Sequence, residues 1–174
     1  MARNTNTSCM LLFSLILFLT LVNKVHAIDD PVDFAVSLYG SRLASQNAET
    51  PIQQSLNLAS AFFAKDLNKA FAKVINADGV KTGELACLDF DAFTNAQDTM
   101  RGFFIENATS QGAITIVPVN LGVQSLDELK TPSLYLHLIK TPTGLLVNDI
   151  DYGKEQGTLR SRLKSCLNHK HSSF

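Results

Sequence analysis

The stretch LACLDFDAFTNAQD, at residues 85–98, separates two halves of the chain that differ in pattern. Before it, apolar residues recur every three or four positions, which is typical of amphipathic helices. After it, apolar residues alternate with polar ones between turn residues, which favours strands. Helices followed by consecutive hairpins predict an α+β fold. We expect the N-terminal helices to cover a curved antiparallel sheet, with a short closing helix.

The first 27 residues have the pattern of a secretory signal peptide. Arg3 is the single charged side chain before an apolar run over residues 10–22, which suits a signal core and is short for a membrane span. We predict cleavage after Ala27, leaving a single domain over residues 28–174 that is periplasmic or secreted. An uncleaved anchor is the alternative. Cys9 precedes the apolar run, so it cannot be a lipoprotein acylation site.

The remaining chain has the length of one ordinary domain and a weak negative charge. Arg3 and Lys24 leave with the leader, so 13 basic residues of the original 15 face 16 acidic ones. No basic stripe is present, and we therefore expect no nucleic-acid partner. No other apolar run could span a bilayer, so we expect no membrane contact after cleavage. The sequence does not indicate an oligomeric state.

The export signal decides how the cysteines are interpreted. Cys87 and Cys166 remain after cleavage, and an even count in an oxidising compartment favours a disulfide. In the entropic description such a bond contributes on the order of 4 kcal/mol. Two buried, unbonded thiols are the alternative. Neither cysteine has a second ligand at short spacing, so we predict neither a metal site nor a cofactor.

Cap and turn residues set the expected element boundaries. Asp30-Pro31 and Thr50-Pro51 each pair a capping side chain with a proline, which predicts helix starts at 31 and 51. Asp66 follows a double phenylalanine and predicts a break in the second helix. We expect strands over residues 100–107, 113–121, 133–140 and 145–152, and a closing helix over 158–167. Pro118 lacks an amide, so its strand should be interrupted or lie near an edge.

Three motifs resemble a family of uncharacterised exported bacterial proteins, often lipoproteins, that carry a domain of unknown function. They are LDFDAF at residues 88–93 followed by AQD at 96–98, LLVNDI at 145–150, and the leucine-rich segment 158–167. The resemblance implies a cystatin-like cone, related to nuclear transport factor 2, over nearly the whole mature chain. Two features depart from the family: a leucine replaces the tryptophan that commonly opens the second motif, and the lipoprotein cysteine is missing. The family implies no established activity.

The first candidate cluster lies in the central stretch and consists of Asp89, Asp91, Gln97 and Asp98. Asp89 and Asp91 would face the same side of an extended segment. Paired carboxylates can shift each other's pKa and divide acid and base roles. They could also bind Ca²⁺, although the glycine and glutamate of the common calcium loop are missing. The competing interpretation is that these side chains cap backbone amides in an irregular loop.

The second candidate cluster consists of His137, Asp149 and Asp151 in the last hairpin. Asp149 and Asp151 alternate along one strand face. If His137 also faces a pocket inside the sheet, His137 and Asp149 could form an acid–base pair. A histidine among apolar strand residues is more often a tolerated core or surface residue.

The sequence therefore predicts an exported, non-enzymatic module that binds a small ligand or an envelope protein. A toxin-neutralising immunity or inhibitor protein is one alternative. An isomerase-like or hydrolase-like enzyme that uses the Asp149–His137 pair is the other. Nucleophile elbows, phosphate loops and zinc signatures are all missing from the sequence.

Overall fold

The structure is a computed structural model, and it describes residues 28–47, 51–78, 88, 90–123 and 125–169. This part of the chain contains four α-helices, a 3₁₀ turn and five strands. The helices are α1 (Pro31–Ser45), α2 (Pro51–Phe62), α3 (Lys65–Asp78) and α4 (Leu159–His169), and the 3₁₀ turn is Leu126–Lys130. The strands are β1 (Gly102–Ile105), β2 (Thr109–Gln111), β3 (Ile114–Gly122), β4 (Leu134–Thr141) and β5 (Gly144–Asp151). The predicted α+β class is confirmed.

Helix α1 begins where its capping residues predict. The Asp30 carboxylate accepts hydrogen bonds from the amides of Val32 and Asp33, both at 2.9 Å, and Pro31 occupies the first turn. These contacts satisfy amides that have no partner within the helix. The cap therefore fixes the start of the helix, and the buried side chains of Phe34 and Leu38 fix which face turns inward.

The predicted break between the second and third helices is confirmed, and the structure gives its reason. Phe63 leaves the helix and forms an isolated parallel bridge with Val147 in β5. The Ala64 amide donates to the Val147 carbonyl at 2.8 Å. The chain thus stops being helical where its backbone covers the outer edge of β5. An unpaired strand edge is a site of unwanted pairing, and this contact protects it.

The sheet is antiparallel, open, and ordered β1-β3-β4-β5, with β2 following β1 along the same edge of β3. Strand β3 continues through Pro118, so it is not interrupted there, but Pro118 pairs with β4 alone and lies in the gap between the partners of β1 and β2, which agrees with the alternative that it lies near an edge. The Glu106 amide donates to the Pro118 carbonyl. A strand residue points its nitrogen and its carbonyl to the same side, so the missing amide faces β1 and β2. The interruption falls there, between Ile105 and Thr109.

The strands place apolar side chains on both faces of the sheet. On the first, nine strand side chains are at most 6% exposed and belong to one buried cluster with residues of the four helices. We name it the packed face; it comprises Val117, Val119, Leu121, Leu134, Leu136, Leu138, Leu145, Val147 and Ile150. The opposite positions form what we name the open face, which comprises Phe104, Ile114, Ile116, Pro118, Tyr135, His137, Ile139, Leu146, Asp149 and Asp151, together with the polar positions Thr109, Gln111, Asn120 and Thr141. None of the apolar open-face residues belongs to the buried cluster or packs against it.

Strand β5 contains an extra residue that keeps both faces in register. His137 pairs with Asp149, and Leu138 pairs with Val147, so Asn148 has no direct partner in β4. A bulge of this kind changes which residues face each side of a sheet. Without it, Val147 and Ile150 could not both be buried on the packed face.

Within the described segments, none of the helices is long and apolar enough to cross a membrane. The apolar run at residues 10–22, on which the export prediction depends, lies outside the described residues.

Candidate functional site

Asp91 is held inside the fold by an arginine from α1. The Nε and Nη2 atoms of Arg42 lie 2.9 Å and 2.5 Å from Asp91 Oδ2, and both side chains are at most 14% exposed. The other carboxylate oxygen accepts the Phe93 amide at 2.7 Å. Asp91 thus joins the helical half to the loop that follows it. Its two oxygens are engaged in structural contacts.

Two buried tyrosines hold the carbonyls of the same loop. The Tyr39 hydroxyl donates to the Phe93 carbonyl at 2.9 Å, and the Tyr152 hydroxyl donates to the Ala92 carbonyl at 2.5 Å. Burial is the main cause that raises the pKa of Tyr39 well above its usual range, and the nearby Asp91 charge adds to it. Burial likewise raises the pKa of Tyr152. Both phenols therefore act as neutral donors that fix the loop.

An arginine from the closing helix completes this arrangement. The Arg162 guanidinium lies 4.2 Å from the ring centroid of Phe90 and 5.1 Å from that of Tyr152. Contacts of this geometry are favourable because the face of an aromatic ring is electronegative. The loop at residues 90–95 is therefore held by α1, by the end of β5 and by α4. We interpret it as a clasp between the two halves of the protein.

The other members of the first cluster are exposed or lie beyond the described residues. Cys87 and Asp89 fall outside them, so the pairing of Asp89 with Asp91 and the disulfide with Cys166 stay predictions. Cys166 is 4% exposed on α4. Gln97 and Asp98 are exposed. Asp91 is therefore the described member of this cluster that is held in the interior.

Asp98 lies in a cleft between the end of α1 and the approach to β1. The cleft has a volume of about 630 Å³, and its lining consists of Leu43, Gln46, Asp98, Thr99, Met100, Arg101 and Val123. Asp98 and Arg101 are both exposed and carry opposite charges. The cleft is open, its lining is about equally polar and apolar, and neither Asp91 nor any member of the second cluster lines it. A small zwitterion could contact its walls, but the lining holds no apolar box that would bury such a ligand.

The second cluster is brought together on the open face. His137 lies directly opposite Asp149, and Tyr135 lies opposite Asp151. The Asp149 carboxylate accepts the amides of Ile150 at 2.9 Å and Arg160 at 3.0 Å. Asp149 therefore caps the first turn of α4. His137 faces away from the core that the helices cover, because its neighbours Leu136 and Leu138 occupy the packed face.

Arg160 fixes the bulge, a role that no local sequence pattern indicates. Its Nε donates to the Asn148 carbonyl at 2.6 Å, and its Nη2 donates to Asn148 Oδ1 at 2.9 Å. Its Nη1 contacts Asp66 Oδ2 at 2.7 Å, which is the main cause that lowers the pKa of Asp66. Asp151 makes a local contact, accepting the Gly153 amide at 2.8 Å. The acids of this strand thus help to shape the hairpin and to anchor α4.

Metal binding finds no support in the part of the chain that the structure describes, where no group of three or more His, Cys, Asp or Glu side chains is placed to hold an ion. Arg42 and Arg160, the two residues that organise the candidate carboxylates, were both missed from the sequence. For Arg42 a signal existed, because it follows Leu38 by four residues and Tyr39 by three. That spacing places it on the buried stripe of α1.

The open face is the largest feature of the described residues that no structural role explains. An antiparallel sheet with one solvated face normally alternates apolar and polar residues. Here Ile114, Ile116, Ile139 and Leu146 are apolar on the outward side and only partly buried. Phe104, at the β1 end of this face, is 55% exposed. The strand positions on this side carry no lysine or arginine.

Comparisons with protein-family models, with curated proteins and with solved structures find no match to this chain. The resemblance to the exported family therefore stays a prediction, and a function must be proposed from the geometry of the chain itself.

Proposed function

We propose that the protein is an exported, non-enzymatic module that binds another protein through the open face of its sheet. The observation that carries this proposal is the run of apolar, partly accessible side chains on that face, none of which packs against the buried cluster. Continuous apolar surface of this kind marks interaction sites in soluble proteins. Export rests on the signal-peptide pattern of the first 27 residues.

The contacts of the candidate carboxylates favour binding over catalysis. Asp91 is paired with Arg42, and Asp149 caps α4. A general base must reach its substrate with a free lone pair in a site that excludes water. The enzymatic alternative retains one supporting observation, the register pairing of His137 with Asp149. Against it, neither residue lines the cleft.

The partner is best sought in the cell envelope. An immunity or inhibitor role against an envelope-targeting toxin is one form of the proposal, and it predicts a toxin gene beside this one. A small-ligand role would instead use the cleft around Asp98 and Arg101. Substitutions on the open face should weaken binding of a protein partner, whereas substitutions in the cleft should weaken binding of a small ligand.

The proposal is tested by affinity capture from an envelope extract with paired variants. We expect the mature wild-type domain to retain a defined protein, and the double variant Ile116→Thr and Ile139→Thr to retain it about tenfold less, since central apolar contacts dominate interfaces. Threonine keeps the β-branched shape of isoleucine, so the strands should persist. Val36→Thr is the matched control, because Val36 is 45% exposed on α1, away from the open face. Equal capture by all three proteins would refute the open face as the binding surface.

Export has its own test. N-terminal sequencing of protein recovered from the native host should begin at Ile28. Recovery of intact Met1 in the membrane fraction would contradict the export part of the proposal.

A further inference from the structure

We propose that Phe104 and Leu126 form the hot spot of the open face, and that it receives an apolar side chain from a cationic segment of the partner protein. This inference rests on the proposed function and adds the chemistry of the partner. Phe104 is 55% exposed and Leu126 is 61% exposed. A single exposed apolar side chain is ordinary, but two at the same end of an apolar surface form part of a patch, and patches mark interaction sites.

The two side chains are neighbours at one end of the sheet. Leu126 begins the 3₁₀ turn, and its Cδ2 would lie 3.2 Å from a Cβ placed on Gly102. Gly102 and Phe104 are outward positions on β1, one repeat apart. At Gly122, a Cβ would lie 2.9 Å from the Ser125 carbonyl oxygen. Both glycines therefore let the turn lie close against the strands, and this places Leu126 against Gly102, two residues before Phe104 on the same face.

The turn that carries Leu126 is held rigidly. The Asn120 side-chain amide donates to the Leu129 carbonyl at 2.8 Å, and Asn120 is 2% exposed. The Ser125 hydroxyl accepts the Asp127 amide at 3.1 Å, and the Glu128 carboxylate accepts the Val123 amide at 2.8 Å. A surface fixed before binding loses less conformational entropy when the partner arrives. The hot spot is thus presented in one conformation.

Acidic side chains surround the apolar pair. Glu106 is two residues from Phe104 and contacts Asn120 at 3.1 Å, while Asp127 and Glu128 directly follow Leu126. Lys130 is the one basic residue of the turn; its pair with Asp127 is 77% and 86% exposed, so the bond is weak. Arg101, exposed beside Gly102, is the second base at this end, so three acids face two bases and the rim is weakly net negative. Such a rim favours lysine or arginine on the partner, and it disfavours a second copy of the same face, nucleic acid and anionic membranes.

The chemistry is tested with defined probes on the mature domain. A 14-residue peptide of lysine and leucine in helical spacing is titrated against the protein, with the same peptide carrying glutamate in place of lysine as its control. We expect the lysine peptide to bind and the glutamate peptide to bind at least about tenfold more weakly. Raising the salt from 0.15 M to 0.5 M should weaken the lysine peptide several-fold, because the charges lie at the surface.

Variants separate the two components of the site. Phe104→Ala with Leu126→Ala should weaken binding of the lysine peptide at least about tenfold, whereas Val36→Ala should leave it unchanged. Glu106→Gln with Asp127→Asn should weaken binding less and flatten the salt dependence. Thermal unfolding of each variant, followed by circular dichroism, verifies that it is folded. Glu106→Gln keeps an oxygen that can accept the Asn120 hydrogen bond.

The failures of the two proposals are distinguishable. Equal binding of the lysine and glutamate peptides, or no effect of Phe104→Ala with Leu126→Ala, would overturn the hot spot. Preferential binding to anionic vesicles would also overturn it. In each case, loss of the captured envelope protein in the Ile116 and Ile139 variant would still support the open face. If the Ile116 and Ile139 variant captures the envelope protein normally while Phe104→Ala with Leu126→Ala does not bind the peptide, the hot spot is supported and the rest of the open face is excluded from the binding surface.

Discussion

Both faces of the sheet carry apolar side chains, but only one face is covered by the described α-helices. On the packed face, Leu134, Leu136 and Leu138 are fully buried. On the open face of the same strand, Tyr135, His137 and Ile139 remain partly accessible. The first set explains why the protein folds. The second set has no comparable structural reason, and this difference is what points to a binding surface.

Contacts on the packed side should contribute more to stability than contacts on the open face or on the exposed surface. The largest effect concerns the disulfide predicted between Cys87 and Cys166, which would tie α4 to the clasp on the packed side. Reduction should lower the free energy of unfolding by on the order of 4 kcal/mol and the melting temperature by roughly 10 °C. Calorimetry with and without reductant measures this. Two free thiols in natively exported protein, found by non-reducing mass spectrometry, would end the prediction.

Truncation of one leucine on the packed face should come next. Leu136→Ala should lower the free energy of unfolding by about 3 kcal/mol, because it leaves a cavity in a fully buried position. Ile139→Ala, on the open face of the same strand, should cost about 1 kcal/mol. Urea denaturation of both variants gives the comparison. Equal losses would mean that the open face is as tightly packed as the core.

The buried ion pair should matter more than an exposed one. Arg42→Met should destabilise the protein by about 3 kcal/mol, since it leaves Asp91 largely buried without its cation. Lys130→Met breaks the exposed pair with Asp127 and should change stability by less than about 0.5 kcal/mol. The two variants can be compared by the same denaturant titration. A loss below that of Lys130→Met would show that the clasp does not hold the two halves together.

The smallest effect is expected from Tyr39→Phe, which removes the hydrogen bond to the Phe93 carbonyl and should cost about 1 kcal/mol. Because burial raises the pKa of Tyr39, the folded state keeps this proton above pH 10 while the unfolded state releases it. Stability should therefore be intact below pH 10 and should fall as the pH rises further. In Tyr39→Phe the free energy of unfolding should fall less steeply above pH 10, although Tyr152 still contributes to the fall. Parallel alkaline slopes for both proteins would contradict the assignment.

The elements that depend on local chemistry could be predicted from the sequence. The cap at Asp30, the proline at position 51 and the turn around residues 142–143 gave boundaries that the structure reproduces within one or two residues. The break after the double phenylalanine was predicted for the same kind of reason. Each of these signals acts over a few neighbouring residues, so no knowledge of the tertiary fold was needed.

The features that depend on distant contacts could not be predicted. Arg42 and Asp91 are 49 residues apart, and nothing local pairs them. Arg160 fixes a bulge at Asn148 that shifts the register of β5. Strand alternation alone assigns Asn148 and Asp149 to different faces, and it reveals neither the bulge nor the cap that Asp149 provides for α4. The interruption considered for Pro118 was assigned to its own strand, β3, whereas the structure has the break on the neighbouring side, between β1 and β2. The open face likewise emerged only when the strands were assembled.

The central claim is that the open face contacts a partner, and site-specific photo-crosslinking tests it most directly. A benzoylphenylalanine placed at Phe104 in the full chain, expressed in the native host, should crosslink one defined protein. The same group at Val36, which is exposed on α1 at 45%, should not. Crosslinking of the same protein from both positions, or from Val36 alone, would contradict the account.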